Sequence, residues 1–129
     1  MINKYFKYSE FDCKCGKCER PQGVPSDELI EILTTIRKHY KQPVIINSGY
    51  RCEAHNKAVG GSPNSQHFKG SAVDFTVKNT PTESVWEYVL KKWGDEPLGL
   101  AIKRNKDNIY AGFVHIDTRG KKARWEYKG

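Results

Sequence analysis

The sequence has no long apolar run, since apolar stretches such as PVII and GLAI are only a few residues long. A membrane-spanning helix needs about 20 apolar residues, so none is expected. The first residues, MINKYFKYSEFDC, also lack the apolar stretch and the cleavage site of a secretory signal. We therefore expect synthesis in the cytoplasm without a signal peptide. Any action on material outside the cell would then follow release.

Acidic residues are in short supply, with 15 Asp and Glu against 22 Lys and Arg, and the net charge is +7. A basic surface favours polyanions such as nucleic acid, anionic lipid or an acidic cell-wall polymer. The basic residues are spread along the chain, however, and no segment resembles a nucleic-acid-binding module. We predict no nucleic-acid partner, and a basic nucleic-acid-binding protein remains an alternative supported by net charge alone.

Cysteines are few, and three of the four form a C-x-C-x-x-C segment rather than the paired C-x-x-C motifs of a zinc ribbon. Zinc accepts four thiolates, so a second, structural zinc site is one interpretation. Reduced thiols are another, and a disulfide formed after release into an oxidising space is a third. The residues concerned are Cys13, Cys15, Cys18 and Cys52.

The length of 129 residues suits one domain over residues 1–129, with a monomer as the default. Apolar residues recur at helical spacing in SDELIEILTTIRKHY, after the capping residue Ser26, and in TPTESVWEYVLKKW, after Thr80 or Thr82 as the cap. Strands are predicted in PVIINS, GSAVDFTV, LGLAIKR and NIYAGFVHIDTR. This order predicts an α+β fold with a small antiparallel sheet and two main helices.

Two histidines and one aspartate have the chemistry of a catalytic zinc site. His67 and Asp74 lie seven positions apart around a loop rich in Gly, Ser and Asn, and His115 lies downstream in GFVHID. Two imidazoles and a carboxylate leave a fourth zinc position open for water. Each residue also has a structural interpretation: a histidine in an apolar strand is often a core residue, and an aspartate often caps a turn.

Alternation along a strand places Phe113, His115 and Asp117 on one face. A polar pair between apolar neighbours needs partners, and a metal would supply one.

Two segments, INSGYRCEAHNKAVGGSPNSQHFKGSAVDF and FVHIDTRGKKARW, resemble M15-type zinc D-Ala-D-Ala carboxypeptidases and endopeptidases. The small phage-encoded members are especially similar, and the resemblance covers nearly the whole chain. It implies a hedgehog-like peptidase fold and one catalytic Zn²⁺ bound by His67, Asp74 and His115. It also implies that Arg51 binds the substrate and is catalytic, because its charge would stabilise the oxyanion. Ser65 would hydrogen-bond the substrate or orient the loop. The implied substrates are peptidoglycan stem or cross-link peptides with D-amino acids, cut by a wall-remodelling enzyme or a phage endolysin after release.

The sequence departs from this family at one position. Many members carry Glu or Asp as the general acid and base three residues before the last zinc histidine, where this chain has Gly112. Asp117 is the nearest carboxylate, and it is either the catalytic base or a carboxylate that holds a ligand imidazole. The departure supports an alternative function: a catalytically inactive, zinc-containing binding module, as in the signalling domain of hedgehog proteins.

Overall fold

The computed structural model of the chain describes residues 4–11, 26–48 and 72–127. Over these residues the fold is α+β with two α-helices, as predicted, and the sheet has five strands. A 3₁₀ turn at Tyr8–Phe11 precedes the first helix and buries Phe11 in the core. In the described part of the chain, neither helix has the length and apolar character needed to cross a membrane.

Helix α1, Asp27–Tyr40, forms where the apolar periodicity predicts it. The hydroxyl of Ser26 accepts a hydrogen bond from the backbone N–H of Leu29 at 3.2 Å, which confirms the predicted N-cap. The helix ends at Lys41, whose backbone is left-handed with φ of 56°. Its apolar stripe is fully buried and comprises Leu29, Ile32, Leu33 and Ile36.

Helix α2, Thr82–Trp93, is also present, but the predicted threonine cap is wrong. Pro81 is the N-cap residue and makes no side-chain cap hydrogen bond. The hydroxyl of Thr82 instead donates to the carbonyl of Ala111 at 2.7 Å, and the backbone N–H of Thr82 donates to the carbonyl of Ile109. The first turn of α2 is therefore bonded to the loop that precedes β4, a long-range partner that local capping rules do not reveal.

The strands are β1 (Val44–Ser48), β2 (Ala72–Val77), β3 (Gly99–Lys103), β4 (Phe113–Asp117) and β5 (Ala123–Tyr127). Their order in the sheet is β1-β2-β4-β3-β5. The first four pair antiparallel, as predicted, whereas β5 was not predicted and pairs parallel with β3 at the edge. Strand β4 is shorter than its predicted segment and begins only at Phe113.

The two faces of the sheet differ in character. One face packs against both helices through side chains such as Phe75, Leu100 and Ile116, which are fully buried in the core cluster. Because neighbouring side chains on a strand alternate, the other face carries Asp74, His115 and the residues aligned with them. The polar residues that the sequence singles out in β2 and β4 therefore lie on the sheet face away from the helices.

Candidate active site

The pairing of β2 with β4 places Asp74 directly opposite His115, although 41 positions separate them in the sequence. The two side chains meet with 2.8 Å between the Asp74 Oδ1 and His115 Nδ1 atoms. Both residues are buried, with 8% and 3% exposure. The register between β1 and β2 shifts between Ile46 and Ser48, and Ser48 is the residue that pairs with Asp74. Such bulges commonly redirect the chain beside functional sites.

Asp117 holds the other side of the His115 ring. Its Oδ2 atom lies 2.7 Å from His115 Nε2, so the histidine lies between two carboxylates. Asp117 also accepts hydrogen bonds from Arg119 Nε to Oδ1 and from Arg119 Nη2 to Oδ2, each at 2.7 Å. The carboxylate is completely buried, whereas the Arg119 side chain is 30% exposed. The two residues form a bidentate ion pair, the strongest geometry for such a pair.

These contacts control the protonation of the site. Burial alone lowers the pKa of His115, but hydrogen bonds to Asp117 and Asp74 and their negative charges outweigh it, so the pKa is raised. Burial alone raises the pKa of Asp117, but Arg119 and His115 donate hydrogen bonds to its charged form, so its pKa is held far below the usual range. Asp117 therefore stays ionised at neutral pH, and His115 donates from both ring nitrogens when carboxylates are their only partners.

Small residues on β3 make room for this arrangement. Gly99 pairs with Asp117, and a β-carbon added to Gly99 would overlap both carboxylate oxygens. Ala101 pairs with His115 on one side and with Trp125 on the other. Because Ala101 is short, the His115 and Trp125 rings meet across it with centroids 5.1 Å apart. The sequence of β3 thus fits the buried polar cluster next to it.

Gly112 is required by the backbone. Its φ is +81°, a conformation that residues with a β-carbon rarely adopt, and an added β-carbon would overlap the carbonyl oxygen of Lys103. The position therefore cannot carry an acidic side chain without a shift of the β3–β4 connection. Gly112 is therefore a conformational requirement of this loop.

Aromatic rings from β5 complete the described surroundings of His115. Trp125 contacts the His115 ring, and Tyr127 lies with its ring centroid 6.3 Å from it. The Arg119 guanidinium lies over the Trp125 ring, 4.9 Å from its centroid, a cation–π contact. We did not predict roles for Arg119, Trp125 or Tyr127. The alternation in ARWEY, with Ala, Trp and Tyr on one face, is the signal that would have predicted β5.

Several predicted site residues lie outside the described residues. These are His67, Arg51, Ser65 and the four cysteines at 13, 15, 18 and 52. Of the predicted zinc ligands, the structure therefore describes Asp74 and His115, and it brings these two into contact. Within residues 4–11, 26–48 and 72–127, no group of three or more His, Cys, Asp or Glu side chains could hold a metal ion.

A comparison with protein families identifies the group to which this arrangement belongs. The model of a family described as peptidase M15 matches residues 4–117, which include β2, β4 and the whole Asp74–His115–Asp117 cluster. The chain belongs to the peptidase M15 family. Peptidases of this family are generally zinc-dependent and act on peptidoglycan. A comparison with curated protein sequences gave no significant match.

The described M15 residues fit a zinc ion by the chemistry of their donors. A carboxylate oxygen of Asp74 and an imidazole nitrogen of His115, both of which zinc accepts, converge within 2.8 Å in a buried place. The opposite ring nitrogen of His115 already contacts Asp117, and zinc-binding histidines usually donate their second N–H to such a carboxylate. The pair can therefore supply two ligands once a metal replaces the proton on Nδ1.

Proposed function

We propose that the chain is a zinc-dependent peptidase that hydrolyses peptidoglycan stem or cross-link peptides containing D-amino acids. Residues 1–129 would form one peptidase domain that acts as a monomer. The observation that carries the proposal is the buried contact of Asp74 and His115, backed by Asp117 and Arg119, in a chain of the M15 family. Buried charge of this density is costly unless it is paired or binds a metal.

His67, Asp74 and His115 would hold the zinc ion. When bound, zinc supplies a Lewis acid that polarises the scissile carbonyl and lowers the pKa of a water molecule toward ~7. The chain's own contribution at His115 is orientation: Asp117 would accept a hydrogen bond from Nε2–H, which leaves Nδ1 on the side of Asp74. The four thiols of Cys13, Cys15, Cys18 and Cys52 are proposed as a second, structural zinc site.

Asp117 fits a positioning role better than the role of a general base. The carboxylate is completely buried, it accepts hydrogen bonds from His115 and Arg119, and its pKa is strongly lowered. A general base works best with a pKa near the operating pH and within reach of the substrate proton. We therefore assign Asp117 the task of fixing the His115 ring and its tautomer. Arg119 would keep Asp117 ionised.

Substrate recognition would fall to Arg51 and Ser65. The guanidinium fork of Arg51 suits a peptide carbonyl or carboxylate. The hydroxyl of Ser65, two positions before His67 in the sequence, suits a hydrogen bond to the same peptide. The net charge of +7 favours approach to an anionic wall. The proposal places this action after release from the cytoplasm, as in a phage endolysin or a wall-remodelling enzyme.

A second candidate is a zinc-containing binding module of the same fold without catalysis. Gly112 favours it, because the position that often carries the family's general base cannot carry a side chain here. Asp117→Asn does not by itself separate the two candidates, since the variant would disturb the histidine in both. Turnover by the wild-type chain does separate them.

The deciding experiment is mass spectrometry of peptides released from purified peptidoglycan by the zinc-loaded protein. His67→Ala serves as the control, because it removes a proposed ligand. New fragments from the wild type alone would establish the peptidase, and their masses would identify the bond that is cut. Release of no fragment from several wall chemotypes, with zinc bound and the fold intact, would favour the binding module.

A further inference from the structure

A row of side chains on β4, β3 and β5 lies next to the candidate zinc site. Lys103, the last residue of β3, pairs with Phe113 on β4 and with Tyr127 on β5. Residues opposite each other in a sheet point to the same face, so the three share the face that carries His115. We call Phe113, Lys103 and Tyr127 the shelf.

The shelf combines two aromatic rings with one lysine, is accessible, and lies beside the candidate site. The Phe113 and Tyr127 rings approach to 5.3 Å between centroids although β3 lies between their strands. They therefore lean toward each other over β3. Tyr127 is 37% exposed, Phe113 is half-buried and Lys103 is exposed. Tyr127 also borders the His115 ring, with 6.3 Å between the ring centroids, so the shelf adjoins the candidate site from the β5 side.

Lys103 brings a positive charge to these aromatic rings. Among the residues that the structure describes, its ammonium group has no ion-pair partner. The adjacent Arg104 provides a contrast, because it pairs with Glu83 at 2.7 Å and also with Glu126. Within the described residues, one of two neighbouring cations is thus paired, while the one beside the aromatic rings is not.

We propose that the shelf binds one arm of an acidic peptide substrate, and that Lys103 pairs with a carboxylate on that arm. This assignment deepens the proposed peptidase function and rests on it. Successive residues on one face of a strand are about 7 Å apart, and an extended peptide advances about 3.4 Å per residue. A carboxylate on Lys103 would therefore lie about two residues from the bond held at His115. The rings of Phe113 and Tyr127 would cover the apolar part of the arm.

The test uses the pentapeptide L-alanyl-γ-D-glutamyl-L-lysyl-D-alanyl-D-alanine and two matched analogues. One analogue has the glutamate α-carboxylate amidated, and the other has the C-terminal carboxylate amidated. Affinities are measured by calorimetry with the full-length zinc-free protein, and kcat and KM with the zinc-loaded protein. Variants are Lys103→Met, the conservative Lys103→Arg, and Lys38→Met as a control on α1, which packs on the opposite face of the sheet.

We expect the wild type to bind the free acid at least about tenfold more tightly than one of the two amides, as for a hydrogen bond to a charged group. Lys103→Met should abolish that preference and raise KM for the free acid with little change in kcat. Lys103→Arg and Lys38→Met should retain the preference. The identity of the discriminating amide shows which carboxylate the shelf binds.

Two results would overturn the assignment of the shelf: no discrimination by the wild type, or equal discrimination by wild type and Lys103→Met. If the zinc-loaded protein still cuts the peptide in those cases, the peptidase function stands without the shelf. If the protein cuts none of the peptides but shows Lys103-dependent binding, the shelf stands and the peptidase function fails. Tyr127→Ala adds a check, since it should lower the affinity for all three peptides by the same factor.

Discussion

A β-carbon added to Gly99 would overlap both carboxylate oxygens of Asp117, so the smallest possible residue on β3 faces the most buried acid of the site. This relationship links the packing of the sheet to the chemistry of His115. The Asp117 carboxylate keeps its contacts with His115 and Arg119 only while position 99 has no side chain.

Gly99→Ala should therefore displace Asp117 and loosen the His115 ring. We expect a loss of about 1–3 kcal/mol in the free energy of unfolding, as for other overpacked sites. Zinc affinity, measured by competition with a chelator, should fall as well. Gly120→Ala is the matched control, because Gly120 has φ of +84° and open space around it. That variant should lose stability through its backbone but keep wild-type zinc affinity. Equal zinc affinities for all three proteins would contradict the prediction.

Gly112→Glu should not create a general base. The positive φ and the overlap with the Lys103 carbonyl apply to any side chain, so Gly112→Ala and Gly112→Glu should be destabilised alike. We expect each variant to lose about 2 kcal/mol or more in the free energy of unfolding, measured by urea denaturation, since the left-handed conformation alone costs about 1–2 kcal/mol. The prediction is wrong if Gly112→Glu has wild-type stability and hydrolyses peptidoglycan faster than wild type.

Asp117→Asn should weaken zinc binding while the protein stays folded. An amide of the same shape can still contact His115, but it loses the negative charge that holds the imidazole and the ion pair with Arg119. Removal of such a partner from a zinc ligand typically costs about 10- to 100-fold in metal affinity. Asp95→Asn is the control, because Asp95 is fully exposed and lies 3.8 Å from Lys122. Unchanged affinity in Asp117→Asn would remove the positioning role.

The stability of the zinc-free protein should depend on pH through His115. Its raised pKa means that the folded state binds the proton more tightly, so this stabilisation is complete below about pH 6.5 and is lost as the pH rises through the folded-state pKa. Asp117 acts in the opposite direction. Because its pKa is lowered in the folded state, its ionisation stabilises the fold above about pH 4, and this stabilisation is lost on acidification.

The urea midpoint of the zinc-free protein should thus be higher at pH 5.5 than at pH 8.5, and His115→Gln should reduce that difference. Saturating zinc should also reduce it, because the metal takes the place of the Nδ1 proton. If the urea midpoints of the wild type and of His115→Gln changed equally between pH 5.5 and pH 8.5, the assignment of the proton to His115 would be contradicted.

The sequence predicts some parts of this molecule well for identifiable reasons. The Ser26 cap and the buried stripe of α1 depend on residues within a few positions, so local rules suffice. The shared face of His115 and Asp117 follows from strand alternation. The contact of Asp74 with His115 depends instead on the register between β2 and β4, which no local pattern specifies. The sequence analysis grouped the two residues only as ligands of one zinc ion and predicted no strand register for them.

Other parts depend on distant partners or on backbone conformation. Thr82 donates to Ala111 rather than capping its helix, because a carbonyl 29 positions away is within reach. Gly112 looks like a missing acid in the sequence, and only its φ and the nearby Lys103 carbonyl show why glycine is needed. The parallel pairing of β5 follows from the way the chain returns to β3.

Strand β5 lies beyond residue 117, where the family match ends, and it pairs at the edge of the sheet. Its backbone position is held by Arg124, which donates to the carbonyls of Leu98, Gly94 and Glu96 at the end of α2 and the start of β3. The matched part of the chain thus contains Asp74 and His115, and a short terminal segment adds Trp125 and Tyr127. Exchange of Trp125 and Tyr127, with Arg124 kept to anchor the strand, would therefore change the surroundings of His115 while Asp74 and His115 keep their positions.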